Sequence, residues 1–517
     1  MTFLESPPAP ERLNRPQWPS LLWASALALA ACSGSSDTPT PGESPTPTHP
    51  AATLTQAPGT SPQETATAPD MTATAPPSTG TPAPEGTGTP APGTPTAGQP
   101  TATPTAMSTT LYERLGEEAG ITQVITDFLT RVVSDPKING YFLNSSVNQA
   151  HLKGCLVTQV ADLAGGPQDY ATSGCKDMLT AHQGMGISTN DYNDLAGHLV
   201  GALTTAGVAQ ADIATLASVV TDPGFVDDIV EDPDNNKTIY QRVGRKPAIQ
   251  GVVNDFVGRV VDDPKINGYF LNDSLDDQRL KLCLVRQVCS LDGPCKYGEG
   301  IEEQLNDTPC RDMAATHDGL GISTQDFDDL VTHLVNSLTD AGVASADIEA
   351  IGGILTSQAM KDDIIEDLDN DDTVYQRVGR KPAIAVVIAD LLARVGNDPS
   401  INGFFSSADG ARLSTCLIRQ ICSLDGPCVY GHGVEPELNG VACKGMSDVH
   451  DGLTNPPEGG ESSRGISIDD FNDLVGHAND ALLTAGVADV DRQAVVDALD
   501  GMCTDIVDNP LDCIIEL

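Results

Sequence analysis

The sequence predicts an all-α protein: three tandem copies of one helical domain after a disordered stalk rich in Pro and Thr. Three observations predict it. One segment is written three times, at residues 175–188, 310–323 and 443–467, and each copy keeps a Met four residues ahead of a His: Met178 and His182, Met313 and His317, Met446 and His450. Apolar residues recur with the period of a helix, as in Ile121, Val124, Ile125, Phe128, Leu129 and Val132, or Tyr192, Leu195, Ala196, Leu199 and Leu203. Residues 33–106 hold Pro, Thr, Ala, Gly and Ser with almost no large apolar side chain, so nothing there offsets the entropy of folding.

A chain of 517 residues is too long for one core and suits three or four domains. A formal charge of -44 argues against nucleic acid as a partner and against electrostatic docking on an anionic membrane. No apolar run after residue 32 is long enough to span a bilayer.

Residues 1–32 carry Arg12 and Arg15, then an apolar run from Leu21 to Ala31, then Cys32. Leu29, Ala30, Ala31 and Cys32 together resemble the bacterial lipoprotein signal, which would make Cys32 the lipidated first residue of a chain held in the cell envelope, facing the periplasm or the exterior. An ordinary secretory signal cut nearby is the alternative reading. Ser33 and Gly34, with no Asp after the Cys, hint at outer-membrane sorting. As extended polyproline II at ~3.1 Å per residue, the stalk at 33–106 reaches on the order of 200 Å at most, enough to clear a lipid headgroup layer.

The three domains are expected at 107–231, 236–366 and 371–517. The decapeptide at 135–144 returns unchanged at 263–272 and altered at 398–405, a period too long for a solenoid and suited to tandem globular domains. Residues 231–236 and 366–372 are acidic but lack the spacing and closing Glu of a calcium loop, so they read as solvated linkers. Gly165, Gly166, Pro167 and Gly207 punctuate the pattern, giving each copy roughly six short helices. Leu152, Leu156, Val160 and Leu163 form a narrower helical stripe.

A lone His on a helix is usually satisfied within the fold, but three at equivalent places point to a bound ligand. Thirteen cysteines include Cys32, which has no evident partner, and twelve that recur in register. The register pairs Cys155 with Cys175, Cys283 with Cys310, Cys289 with Cys295, Cys416 with Cys443, Cys422 with Cys428 and Cys503 with Cys513, as disulfides formed in an oxidising space. Zn²⁺ or thiolate ligation of iron is the rival reading, weakened because the first copy keeps only one pair. There is no Cys-x-x-Cys-His, so covalent c-type haem is not indicated.

The ordered residues of each copy resemble the truncated haemoglobins of group 1, the two-over-two globins. The first copy carries Leu111, Tyr112, Glu113, Arg114, Leu115 and Gly116, then Phe128, Arg131 and Val132, then Tyr141 and Phe142. Gly165, Gly166, Pro167 and Tyr170 follow, then Met178 and His182, Gly186, Ile187, Ser188 and Tyr192, and Ala206, Gly207 and Val208. The other copies repeat the set with Tyr240 and Tyr375 at their starts, and Phe327 and Phe471 for Tyr192.

The resemblance implies one haem b per domain, with His182, His317 and His450 as proximal iron ligands. It places Met178, Met313, Met446, Phe128, Phe256, Leu152, Leu280 and Leu413 against the ring, although ordinary core packing predicts the same methionines. On the distal side the family often places a Tyr directly after the Phe of the second helix; here stand Leu129, Val257 and Leu392, joined by Leu156, Leu284 and Leu417. O2 gains from a donated hydrogen bond more than CO or NO does, so tight oxygen storage is not expected. His198, His333 and His477 fall where the family keeps no haem ligand and read as structural.

The expected function is therefore an exported haem protein that binds diatomic gas (O2, NO or CO). Haem-dependent nitric oxide or peroxide detoxification with an external electron donor is one alternative, and a non-haem surface spacer another.

Overall fold

The computed structural model describes residues 109–143, 146–273, 275–298, 309–454 and 465–514. They belong to one compact unit, Ala102–Leu517. Among them the backbone is helical, without a strand and with two isolated bridges, Ser188 to Asp232 and Ser323 to Asp367. Cys32, its signal-like segment and the stalk at 33–106 lie outside the described residues. No helix among those described is long and apolar enough to cross a membrane.

In the first copy α1 is Leu111–Arg114, α2 Glu117–Ser134, α3 Gln149–Leu163, α4 Met178–His182, α5 Thr189–Thr205, α6 Gln210–Val220 and α7 Pro223–Asp227. The apolar stripe of α2 buries Ile121, Val124, Ile125, Phe128 and Val132. It packs on α3 and on α5, and α5 in turn carries α6, so the pairs α2–α3 and α5–α6 meet through the α2–α5 contact. Each fully buried aliphatic or Phe side chain contributes ~1.5–3 kcal/mol, which makes this contact the main apolar support of the copy. Asn148 caps α3, and Ser188 with Asp191 forms a reciprocal capping box that starts α5. Helix α7, beyond the six expected, opens on Pro223, where a missing N–H costs nothing.

The second copy repeats the long elements as helices Arg245–Asp262, Asp277–Cys289, Met313–His317, Thr324–Asp340 and Ser345–Leu355. The third repeats them as Arg380–Asn397, Gly410–Cys422, Met446–His450, Ile468–Thr484 and Asp489–Asp500.

All six cysteine pairs read from the register are disulfides in the structure. Cys155–Cys175 and its counterparts tie the α3-type helix to the segment leading into the His-bearing helix. The short loops closed by Cys289–Cys295 and Cys422–Cys428 serve a different purpose. A side chain at Gly140 would meet the Pro294 Cγ at 3.0 Å and the Cys295 Sγ at 3.2 Å, and one at Gly268 would meet Pro427 at 2.9 Å and Cys428 at 3.2 Å. Each loop is thus pressed against the preceding copy, which requires a glycine there.

The rest of that junction is polar and repeats. Tyr240 donates to the Lys137 carbonyl at 3.1 Å, and Lys246, 7% exposed, donates to Asn139 at 3.0 Å. Tyr375 donates to the Lys265 carbonyl at 3.3 Å and Lys381 to Asn267 at 3.0 Å. Arg245 reaches Asp191 at 3.0 Å and Asp194 at 2.8 Å, and Arg380 reaches Asp326 at 2.7 Å and Asp329 at 2.8 Å. In the first copy the positions of Gln241, Arg245 and Lys246 are held by Glu113, Glu117 and Glu118.

The acidic connectors are largely exposed, as at Asp234, Asn236, Asp369, Asp371 and Asp372, but one residue of each departs from the solvated reading: Asp232 is 0% and Asp367 2% exposed. The Asp232 side chain accepts from the Lys237 amide at 2.9 Å, while its backbone pairs with Ile187 and Thr189 of the same copy. A side chain that folds its own backbone into a turn, while that backbone pairs with a segment 44 residues earlier, leaves no periodic trace in sequence.

His198, His333 and His477 each sit 2.8 Å from an aspartate, Asp135, Asp263 and Asp398, the structural role expected of them. Burial disfavours the Asp135 carboxylate, but the Lys137 amide and His198 outweigh it and hold its pKa below the ordinary value. A depressed carboxylate contributes stability that is present above the unfolded pKa, ~3.9, and is lost as pH falls through the folded one. Asp135→Asn should therefore lower stability by about 1–2 kcal/mol at pH 7. The gap to the parent should close as pH falls below about 4 in denaturant titrations across pH.

Candidate functional site

Helix α4 has only five residues and exists because both its ends are held. Asp177 accepts from the Thr180 amide at 2.8 Å and from its hydroxyl at 2.9 Å. The Thr180 amide and hydroxyl hold the Asp177 pKa below the usual carboxylate range. Asp312 caps the second copy's helix in the same way, whereas Gly445 stands at this place in the third without a side-chain cap. Beyond the helix Gly184 and Gly186 take φ of +81° and +65°, values few other residues adopt. Their amides both point to one carboxylate: Glu231 accepts from Gly184 at 2.7 Å and from Gly186 at 2.6 Å. Glu366 does the same for Gly319 and Gly321, both at 2.6 Å.

On this short helix the His182 Nδ1 lies 2.7 Å from the Met178 carbonyl. His317 and His450 repeat the bond to Met313 and Met446 at 2.8 Å. A carbonyl can only accept, so Nδ1 carries the proton and Nε2 keeps its lone pair. That is the tautomer of a metal-ligating imidazole, with the second-shell partner that orients the ring.

In the first copy His182 faces a cavity of about 400 Å³, within the ~300–1,000 Å³ of cofactor and ligand sites. Its wall includes Phe128, Leu152, Leu156, Met178 and Ile187. In the third copy Leu392, Leu413, Leu417, Met446 and His450 line a cavity of about 490 Å³. In the second copy Phe256 and Val257 are buried, with Leu280 and Leu284 packed half-buried on the same cluster. Met313 there packs beside Ile322, Phe327 and Ile364, and His317 is half-buried.

Leu129 departs from its expected place: it packs half-buried against the helical core and is not among the residues lining the first cavity, whereas its counterpart Leu392 lines the third. One residue of the walls escaped the sequence reading. Gln159 lines the first cavity and Gln420 the third, and their amides point at the Met178 and Met446 sulfurs at 3.5 and 3.4 Å. Gln287 stands 3.7 Å from Met313. The signal was there, since each Gln follows Leu156, Leu284 or Leu417 by three residues on the same helical stripe.

A second polar group, Tyr141, lines the first cavity but gives its hydroxyl to Asp191 at 3.1 Å. Burial, reinforced by the Asp191 charge, pushes the phenol far above its ordinary pKa, so it remains a donor. An apolar slot facing an imidazole of fixed tautomer, closed at one side by a disulfide at Cys155, fits a haem ring ligated at Nε2 of His182.

Comparison with known proteins agrees with this geometry. A family model for bacterial-like globin matches residues 110–224 and 238–364. A group 1 truncated haemoglobin of Mycolicibacterium paratuberculosis is 32% identical over 115 residues, covering 22% of this chain and 81% of that protein. One from Tetrahymena thermophila is 29% identical over 112 residues, covering 22% and 88%. The crystal structure of truncated haemoglobin from Tetrahymena pyriformis in its Fe(III) form is 26% identical, covers 24% of this chain and 98% of that one, and gives a TM-score of 0.22. The matched domain is written twice within the family model's span, and the third copy repeats its helices, its Met–His bond and its cavity. The chain belongs to the truncated haemoglobins of group 1, globin-type haem proteins that bind gases.

Proposed function

We propose that the chain is an exported, lipid-anchored haem protein holding one haem b in each of its three copies and offering each iron to a diatomic gas, O2, NO or CO. The observation that carries this reading is the bond from the His Nδ1 to the Met carbonyl, made in all three copies, which leaves Nε2 free as a ligand, with His182 and His450 each lining a cavity. Haem b, when bound, would be held through its iron by His182, His317 and His450 and would supply the metal that takes up a gas. The chain's own residues orient the ring through Met178, Met313 and Met446 and keep water from the slot with Leu152, Leu156, Leu413 and Leu417. Six disulfides suit an oxidising compartment, and Cys32 supports the anchor.

Haem titration of the full chain should reach three equivalents, and replacing His182, His317 and His450 together by Leu should abolish the Soret band. A Soret band of parent intensity in the triple variant would overturn the assignment. The anchor is read separately: the parent should partition into detergent and Cys32→Ser into water, and equal partition of the two would count against lipidation.

Selectivity follows from the walls. The nearest amide in the third site, Gln420, is spent on the Met446 and Met502 sulfurs. Losing a donor to a partly charged ligand costs about 1.5–3 kcal/mol, or roughly tenfold or more in affinity. Leu392→Tyr adds a phenol at the third cavity, and about one third of the O2-release amplitude of the full chain should then slow by roughly tenfold in stopped flow. Release already slow in the parent and unchanged by the Tyr would place the donor elsewhere.

A further inference from the structure

The loop between the proximal His and α5 forms part of the haem slot, and its anchors are not confined to its own copy. Within the first copy the loop runs from His182 to Ser188, and Ile187 in it lines the cavity. Glu231 gathers the Gly184 and Gly186 amides, and Asp191, which also lines the cavity and is 2% exposed, receives the Ser188 amide at 3.0 Å and its hydroxyl at 2.8 Å. The remaining capacity of that carboxylate is taken by the next copy. Gln241 donates to Oδ2, the oxygen that also accepts from Tyr141, and Arg245 donates to Oδ1.

The arrangement is repeated one copy later. Asp326 receives Ser323, Tyr269, Gln376 at 2.8 Å and Arg380 at 2.7 Å. The guanidiniums are themselves enclosed, with Arg380 5% exposed. Burial works against the Arg245 and Arg380 charges, but the carboxylates they meet raise both pKa values above the ordinary guanidinium value, so the donors stay charged. The third copy is built differently at one of these places: Phe404 replaces Tyr141 and Tyr269, while Asp508 stands where Glu231 and Glu366 do, its amide on the Ile466 carbonyl at 3.0 Å.

We infer that Gln241 and Arg245 are positioning residues of the haem site in the first copy, and Gln376 and Arg380 of the site in the second. Each following copy completes the proximal side of the site before it. This rests on the haem reading above. A carboxylate that is out of water and loses two of its donors must draw on what is left, Tyr141 and the Ser188 end of the loop. The loop that shapes the slot then shifts or opens, although no residue of the first copy has changed. The third site, with Phe404 in place of the tyrosine, is set by other contacts and should not resemble the first two in gas-binding kinetics.

The test uses the full chain carrying Gln241→Ala with Arg245→Ala, with Arg245→Lys alone as a milder variant should the pair fail to fold. Amide exchange is followed at 183–192, with 318–327 in the same molecule as internal control. Residues 183–192 should exchange about tenfold faster or more, with 318–327 unchanged. Unchanged exchange at 183–192 would overturn the inference, and so would equal acceleration of both segments, which signals general loosening. The haem readout is taken in a His317→Leu, His450→Leu parent, where only the first site reports. CO rebinding there should change about threefold or more when Gln241 and Arg245 are replaced. An unchanged rate would overturn the inference even with a loosened loop. Failure of the haem reading would be seen instead as no Soret band in that parent, and exchange measured on the haem-free chain then decides the positioning claim alone.

Discussion

A carboxylate sealed from water must have its lone pairs answered by donors, and Asp191 and Asp326 are each answered from three directions. The start of the next helix answers from below, a tyrosine from the turn after the α2-type helix answers from the side, and the following copy answers from outside. Remove this one group and three things lose their reference at once: the first turn of α5, the return of the chain after the histidine, and the seat of the neighbouring copy. Helix packing gives each copy its bulk stability, but apolar contact is non-directional and would tolerate a shifted loop. The carboxylate does not.

The haem slot is consequently gripped at two places by unlike means. At the α3 side a covalent bridge from Cys155 to Cys175 limits how far the wall can part from the segment that leads to His182. At the α5 side the limit is electrostatic, through Asp191 and through Glu231 on the two glycine amides. Between them the five-residue helix carrying the histidine is too short to be stable alone, and its orientation is inherited from its ends. This explains why the Met carbonyl, rather than a carboxylate, receives the Nδ1 proton: the partner is built into the same turn and needs no third element.

Much of this was legible in sequence because repetition replaces the alignment one would otherwise want. The helices were readable from the spacing of Ile121, Val124, Ile125 and Phe128, since burial on one face imposes the period. Five of the disulfides were readable because a cysteine that recurs in two or three copies has its partner in register too. Met178 with His182 was readable because the copies elsewhere differ. The junction was not. Gln241, Arg245 and Lys246 read as an ordinary polar helix start, and only the fold brings them onto Asp191 and Asn139, fifty or more residues away. The burial of Asp232 and Asp367 within otherwise exposed connectors was illegible for the same reason, since composition favours solvent and the partner is distant. Leu129 shows the limit of periodicity: it fixes which residues are apolar together, not which of them faces the slot and which the neighbouring helix. Gln159 shares the helical stripe of Leu152 and Leu156, and an aliphatic pattern carries no sign of the one polar member that faces the same cavity.

The unchanged decapeptide at 135–144 and 263–272 gains a physical meaning from the junction. It supplies the Lys137 or Lys265 carbonyl, the Asn139 or Asn267 amide and the bare Gly140 or Gly268 on which the next copy rests. The receiving surface thus offers carboxylates, carbonyls and a bare glycine, and the giving surface of the second and third copies is basic with a proline wedge. The first copy bears Glu113, Glu117 and Glu118 where the giving residues stand in the others. The second copy carries both surfaces, so a row of this kind could lengthen by repeating it. The copy with the acidic start can serve only at the head of the row, because behind any other it would set carboxylate against carboxylate.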